Sequence, residues 1–325
     1  MIKNFVTRRR HGKAFSYYAG DELIADKKQI KYFKSLKIPP AWEEVKITVN
    51  TRARVLATGF DKAGRLQYIY HPKFRAKQEQ AKFERTLRFA HALPRMRRVT
   101  EEHLAHKKFD KEKILACIVR LMDQAYFRVG NEVYARTNQS YGLTTIRSKH
   151  VSFDGDTITF DYTGKSGQHQ RKHITDRTLK RIIKKLDDLP GYEVFKYYDT
   201  DGQLQNVTSA DVNSYIKEIM GEEFSAKDFR TWGGTLLAGA ELAHVATAET
   251  KKDRMKAVTK TVKKVARKLG NTPAIAKASY IDPRIIKTFI ESDDLNQLRK
   301  TVKNIAHNDQ LNPDEQRVLS LLEKP

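Results

Sequence analysis

Residues 52–72 read RARVLATGFDKAGRLQYIYHP and residues 73–93 continue KFRAKQEQAKFERTLRFAHAL; the change of texture between them decides the fold. Two alternating runs, Val55 to Phe60 and Leu66 to Tyr70, flank Asp61-Lys62-Ala63-Gly64. Period-two alternation around a short loop containing glycine predicts a β-hairpin. From Pro72 the pattern becomes long, charged and helical, with a break expected at Pro94. The chain therefore reads as α+β: a small antiparallel β domain over residues 1–78, then a larger, mainly helical domain over 79–325.

Within the helical part, residues 111–127, KEKILACIVRLMDQAYF, place apolar side chains at 114, 115, 118, 121, 122 and 125, the stripe of a helix packed on a core. One β interruption follows. VSFDGDTITFDY alternates around Asp154-Gly155 and runs into Thr163-Gly164-Lys165-Ser166-Gly167, so Lys165 sits at the next turn of a small sheet. The fragment Gly-Lys-Ser is not a nucleotide-phosphate loop, because the glycine required five residues before Gly164 is Thr159, inside a strand.

Composition selects the partner. With 62 Lys plus Arg against 39 Asp plus Glu the formal net charge is +23, a field that attracts polyanions, nucleic acid first. No run approaches the roughly 18 apolar residues of a membrane span, and MIKNFVTRRRHGKAF has no signal-peptide core. A cytoplasmic, DNA-associated protein is expected. The single cysteine, Cys117, lies in the apolar run ILACIVRLM and is expected to be a buried small hydrophobe. The histidine pairs His103/His106 and His169/His173 lack companion ligands, and neither a metal nor a cofactor is expected.

Four residues have distinctive settings. Arg128 follows the apolar helix in AYFRVGNEVY, where Val129-Gly130-Asn131 reads as a helix end or sharp turn. Lys165 is on its turn, and Arg230 stands between Phe229 and Trp232 at the head of a small-residue helix. Tyr280, in LGNTPAIAKASYIDPR, comes just after a basic helix. Taken singly, the arginines could satisfy helix-terminal carbonyls and Lys165 could be a polar turn residue. A tyrosine hydroxyl titrates near pH 10, so nearby cations are what would make it a nucleophile.

In their order and local contexts, Arg128 in FRVGNEVY, Lys165 in TGKSG, Arg230 in KDFRTW and Tyr280 in NTPAIAKASYIDP resemble the catalytic set of type IB DNA topoisomerases. IPPAWEEV at 38–45 and GRLQYIYHP at 64–72 are similar to the DNA-clamping domain of the compact poxviral and bacterial members, and the likeness covers roughly residues 38–290. The resemblance implies that Tyr280 attacks a DNA phosphate to form a 3′-phosphotyrosyl bond, that the strand rotates, and that the reaction reverses without ATP or metal. It further implies Arg128 and Arg230 on the non-bridging oxygens and Lys165 as general acid. Lys227 matches a second lysine of the family, used in proton relay, although a simple phosphate contact fits it equally. Asn271 departs from the pattern: poxviral and eukaryotic members have histidine nine residues before the tyrosine, and an amide donates an N–H but no charge. Asn271 could also cap the preceding helix beside Gly270.

The resemblance places Gln67, Tyr68 and Tyr70 on the duplex, although Tyr68 and Tyr70 point the same way along a strand and could equally be one packed face. Residues 251–268, KKDRMKAVTKTVKKVARK, hold nine Lys or Arg and one Asp, with Met255, Val258, Val262, Val265 and Leu269 as an apolar stripe. Lys263, Lys264 and Arg267 on its basic face are candidate backbone contacts, or merely a solvated surface. The expected partner is double-stranded DNA, bound by a monomer. Tyrosine recombinases share this chemistry, but their pattern has a histidine two or three residues before the second arginine, where this chain has Lys227 and Asp228. A non-enzymatic, basic DNA-binding protein is the other alternative.

Overall fold

The computed structural model describes residues 5–12, 14–245, 248–291 and 310–323. Two compact units are present, residues 1–82 and 83–325. In the first, β1 (Phe5–His11), β2 (Ala14–Ala19), β3 (Glu22–Leu23), β4 (Glu43–Thr48), β5 (Val55–Phe60) and β6 (Leu66–Tyr70) form one sheet in the order β3-β2-β1-β4-β5-β6. Every pairing is antiparallel. The β5–β6 turn forms where the sequence puts it: the Asp61 carboxylate accepts from the amides of Ala63 at 2.9 Å and Arg65 at 3.1 Å, and Gly64 takes φ 70°.

Helix α1 (Lys27–Ser35), capped by Asp26, crosses one face and sets Phe33 against Tyr17, ring centroids 5.0 Å apart. Val6, Val45, Ile47 and Ala57 complete that core. The sequence reading contained no such helix. KKQIKYFKS is only nine residues long and buries Phe33 alone, so its apolar side spans little more than two turns.

Helix α2 (Pro72–Leu104) begins in the first unit and continues into the second. It runs straight through Pro94, where a break was expected. An interior proline costs a helix about 3 kcal/mol. Leu93, Pro94 and Met96 are all buried, and burial contributes about 1.5–3 kcal/mol for each large apolar side chain, which outweighs that cost.

The rest of the second unit is helical around α3 (Lys111–Ala125), in which nine residues are buried: five of the six expected stripe positions, Ala125 being only partly covered, together with Lys113, Ala116, Cys117 and Val119. Helix α4 (Glu132–Asn138) precedes a three-stranded sheet, β7 (Val151–Asp154), β8 (Thr157–Thr163) and β9 (His169–Thr175). Then come α5 (Arg177–Asp187), the small hairpin β10 (Lys196–Tyr198) and β11 (Leu204–Asn206), α6 (Ser209–Met220), α7 (Ala226–Ala243) and α8 (Lys251–Leu269). Short α9 (Pro273–Ser279), α10 (Pro283–Glu291) and α11 (Pro313–Glu323) complete the unit. Arg97 of α2 ties the unit together, 2.9 Å from Asp123 of α3 and 2.7 Å from Glu315 of α11. No described helix is long and apolar enough to cross a membrane.

Helix α7 positions the site. Its glycines let other chain segments come close: a Cβ at Gly233 would stand 2.2 Å from the Tyr126 ring, one at Gly234 2.5 Å from the Tyr280 carbonyl oxygen, and one at Gly239 2.4 Å from Val318. Glycines on different sides of α7 therefore seat the end of α3, the tyrosine segment and the terminal helix.

Candidate active site

Helix α3 ends at Ala125 because Tyr126 turns into the left-handed region, φ 56° and ψ 40°. The helix end lies at Tyr126, ahead of Val129-Gly130-Asn131, where Gly130 takes φ 108° and Asn131 caps α4. Arg128 sits in the irregular stretch between the two helices. Helix α8 ends the same way at Gly270, φ 60°, with the amide of Asn271 donating back to Ala266 at 2.8 Å. The C-terminal ends of two helices thus face each other, and their last carbonyls lack helical partners.

Cations occupy that gap. Arg230, 4 % exposed, donates from Nη1 to the Tyr126 carbonyl at 2.7 Å and from Nη2 to the Leu269 carbonyl at 2.8 Å. Arg128 donates from Nη2 to Asn271 Oδ1 at 2.7 Å and to the Gly270 carbonyl at 3.3 Å. Burial, and then the neighbouring Arg230 charge, pull the Arg128 pKa down.

The Arg128 contact fixes the amide orientation of Asn271: with Oδ1 taken by the guanidinium, Nδ2 faces the other way. Asn271 Nδ2 and Arg230 Nε are both buried and have no protein partner. Buried donors are almost always satisfied, so both N–H groups stand ready for an incoming acceptor. The backbone of Asn271 closes the end of α8, the capping reading, while its side chain faces Arg128.

Tyr280 closes the group. Its ring lies 5.0 Å from Arg230 Cζ. Its backbone rests on α7, where Thr235 Oγ1 donates to the Tyr280 carbonyl at 3.2 Å and accepts from the Asp282 amide at 3.1 Å. Burial raises the pKa of the hydroxyl, but the charge of Arg230 and its hydrogen bond to the hydroxyl, with the charges of Arg128 and Lys227, outweigh it, and the net shift is downward. Cations around a phenol favour its ionised form.

Two further candidates lie apart from this cluster. Lys165 is exposed at the head of the turn Lys165–Gly167, and no described contact joins it to Arg128, Arg230 or Tyr280. Lys227 is exposed on the first turn of α7 and reaches the tyrosine through its charge alone. A lysine that sequence reasoning missed is inside the cluster: Lys172 of β9 donates to the Ala125 carbonyl at 2.7 Å and to the Lys268 carbonyl at 3.3 Å. Burial, then Arg230, Lys268 and Arg128, lower its pKa to about 7. The alternation of HQRKHIT gave the signal, since it puts residues 170, 172 and 174 on the inward face of β9.

Beside the cluster opens a cleft of about 720 Å³ between β9 and α8. Lys263, Lys264 and Arg267 line it with Arg171, Lys172 and Lys268, which is a surface for an anionic strand. Lys264 is paired with Glu241 at 2.5 Å. Met255, assigned to the apolar stripe of α8, is 48 % exposed, because the first turns of the helix lie away from the core.

In the N-terminal unit, Tyr68 and Tyr70 stack at 5.7 Å, and Tyr68 remains 46 % exposed. Gln67 donates to Asp61 Oδ2 at 3.0 Å. Tyr68 borders a cavity of about 590 Å³ on the sheet face with Phe5, Lys46, Thr48 and Phe60.

The histidine pairs are occupied elsewhere. His103 Nδ1 meets the Tyr215 hydroxyl at 2.7 Å, His106 Nδ1 meets Asp110 at 2.9 Å, His169 Nε2 meets Asp161 at 2.6 Å and His173 Nδ1 meets Thr159 Oγ1 at 2.9 Å. Among the described residues no three potential ligands cluster for a metal. Cys117 is buried, and burial raises its thiol pKa.

Comparison with known proteins shows the family. Residues 71–308 match the family model of the eukaryotic DNA topoisomerase I catalytic core, and residues 14–61 match the bacterial DNA topoisomerase IB N-terminal domain. The DNA topoisomerase 1B of Acanthamoeba polyphaga mimivirus is 33% identical over 285 residues, 85% of this chain and 84% of that one. The vaccinia virus DNA topoisomerase 1B is 24% identical over 264 residues, 80% and 78% of the two chains. A DNA topoisomerase 1 of rabbit fibroma virus is 22% identical over 310 residues, 90% and 94%.

Proposed function

The chain belongs to the type IB DNA topoisomerases, and on that premise we propose that it acts as a monomer on double-stranded DNA, with Tyr280 as nucleophile and Arg128, Arg230 and Asn271 around the scissile phosphate. The observation that carries this assignment of roles is the pair of buried, unpartnered donors, Arg230 Nε and Asn271 Nδ2, in the same cluster as a tyrosine of lowered pKa.

The chemistry follows from those positions. The Tyr280 hydroxyl gives up its proton to solvent, its oxygen attacks phosphorus, the bond to the 5′ oxygen breaks, and a 3′-phosphotyrosyl bond forms. Charge builds on the non-bridging oxygens, where Arg230 Nε and Asn271 Nδ2 complete their own hydrogen bonding and Arg128 adds charge. Aligned donors of this kind are worth about 10²–10³ in rate each. The departing 5′ oxygen takes a proton, which Lys165 on its turn or Lys227 on α7 supplies. The broken ester is exchanged for another ester, so strand rotation and religation need no fuel. Gln67, Tyr68 and Tyr70 meet the duplex, while Lys263, Lys264 and Arg267 hold its backbone. The protein works in the cytoplasm on nucleoid or other intracellular DNA.

Incubation with negatively supercoiled plasmid in EDTA without ATP tests this. A ladder of relaxed topoisomers is expected. Unchanged supercoiling under conditions where the protein demonstrably binds the plasmid would refute the activity.

A further inference from the structure

Lys172 has no part in the chemistry just described, yet it sits one step behind it. The two carbonyls it holds, Ala125 at 2.7 Å and Lys268 at 3.3 Å, are each followed in the chain by the two that Arg230 holds, Tyr126 at 2.7 Å and Leu269 at 2.8 Å. The ends of α3 and α8 are therefore joined by two successive cationic rungs. Each helix C-terminus carries roughly half a negative charge, so two of them facing each other repel unless a cation lies between. The Lys172 ammonium also stands 5.3 Å over the Phe127 ring, which fixes its approach from β9. The Arg230 fork is rigid and planar, and it aims Nε correctly only while both of its carbonyls keep their separation.

We propose that Lys172 is a positioning residue that acts through Arg230: its ammonium clamps the end of α3 to the end of α8 and so fixes the two carbonyls that aim the Arg230 guanidinium at the phosphate. The inference rests on Arg230 being the phosphate-holding group of the preceding section. A lysine that merely solvated the basic cleft would turn its head outward. This one is held inward despite the burial and the neighbouring cations that pull its pKa to about 7.

A double-mutant cycle separates this role from direct action on DNA. Covalent adduct formation is followed under single turnover, with protein in excess over plasmid, for wild type, Lys172→Met, Arg230→Ala and the double variant. DNA affinity and melting temperature are measured alongside. Lys172→Met should slow adduct formation about 10- to 100-fold in the wild-type background with affinity within about threefold, and by less than about twofold in the Arg230→Ala background. Lys172→Arg, which keeps charge and donors, should recover most of the rate. An equal loss in both backgrounds, or no loss in wild type, overturns the proposal. Should Lys172→Met not fold, Lys172→Gln takes its place in the cycle. If neither folds, the lysine holds the fold and not the arginine, and the proposal fails. Absence of adduct from wild type itself would refute the nucleophile assignment, whereas wild-type adduct with an additive cycle refutes only the role of Lys172.

Discussion

Gly234→Ala is the sharpest probe of the tyrosine seat. A Cβ on Gly234 would lie 2.5 Å from the Tyr280 carbonyl oxygen and 2.8 Å from its Cβ, and the obstacle is largely backbone, which has no rotamer with which to escape. Ordinary contact is about 3.5 Å, so Tyr280 must retreat by about 1 Å. A misplacement of that size costs on the order of 10²-fold in a reaction that depends on near-attack geometry. Stability should change little, because overpacking costs about 1–3 kcal/mol and replacing a helical glycine by alanine returns about 1 kcal/mol. Gly239→Ala on the same helix is the control: its Cβ would meet Val318 at 2.4 Å, an equal crowding directed at the terminal helix and not at the nucleophile. We expect adduct formation about 100-fold slower in Gly234→Ala and near wild type in Gly239→Ala, with similar melting temperatures and unchanged DNA affinity. A Gly234→Ala variant that cleaves within about threefold of wild type would show that the observed seat of Tyr280 is not the one from which it reacts.

Other outcomes follow from individual contacts. Asn271→Ala and Asn271→Asp both remove the outward N–H, so single-turnover cleavage should fall by about 10²–10³-fold in Asn271→Ala and further in Asn271→Asp, whose carboxylate neutralises Arg128 and repels the phosphate; a near-wild-type rate in Asn271→Ala would mean that the amide donor plays no part. Burial raises and Arg230 lowers the Tyr280 pKa, with the net shift downward, so cleavage should rise with pH and level off below the ordinary tyrosine range. Arg230→Gln removes the main lowering charge, and the midpoint of its pH–rate profile should move to higher pH; a shift to lower pH would contradict the sign. Each phosphate contact contributes about 0.9 to the slope of log affinity against log salt, so Lys263→Ala and Arg267→Ala should each flatten it by about that amount. Lys264→Ala should do less, since Glu241 already neutralises that ammonium.

What could be read before folding was local. The β5–β6 hairpin emerged with its bounds because alternation and the Asp61 turn are set within sixteen residues, Val55 to Tyr70. Pro94 misled because a local rule was overridden by burial that only the tertiary core supplies. The Arg128–Asn271 contact spans 143 residues, and no periodicity announces such a pair; only the resemblance put both residues on one list. Lys172 was missed although its strand alternates legibly, because the turn lysine Lys165 already filled the expected role.

The partners chosen by the cluster explain how it stays charged. Arg97 and Arg284 are anchored by carboxylates, Asp123 and Glu315 for the first and Asp282 for the second, and each pairing cancels the charge it orients. Arg128, Arg230 and Lys172 are held by backbone carbonyls and one amide oxygen. Those dipoles orient a cation but leave its full charge for an incoming phosphate. Carbonyl anchoring alone is not diagnostic, for buried Lys196 rests on the carbonyls of Leu189, Pro190 and Gly191 with no such role evident. What separates the cluster is the combination of uncancelled charge, two donors left without partners, and a tyrosine seated beside them on the helix that carries Arg230. An apolar ligand would leave both donors unsatisfied, and a neutral one would leave like charges facing each other; a phosphodiester meets both demands at once.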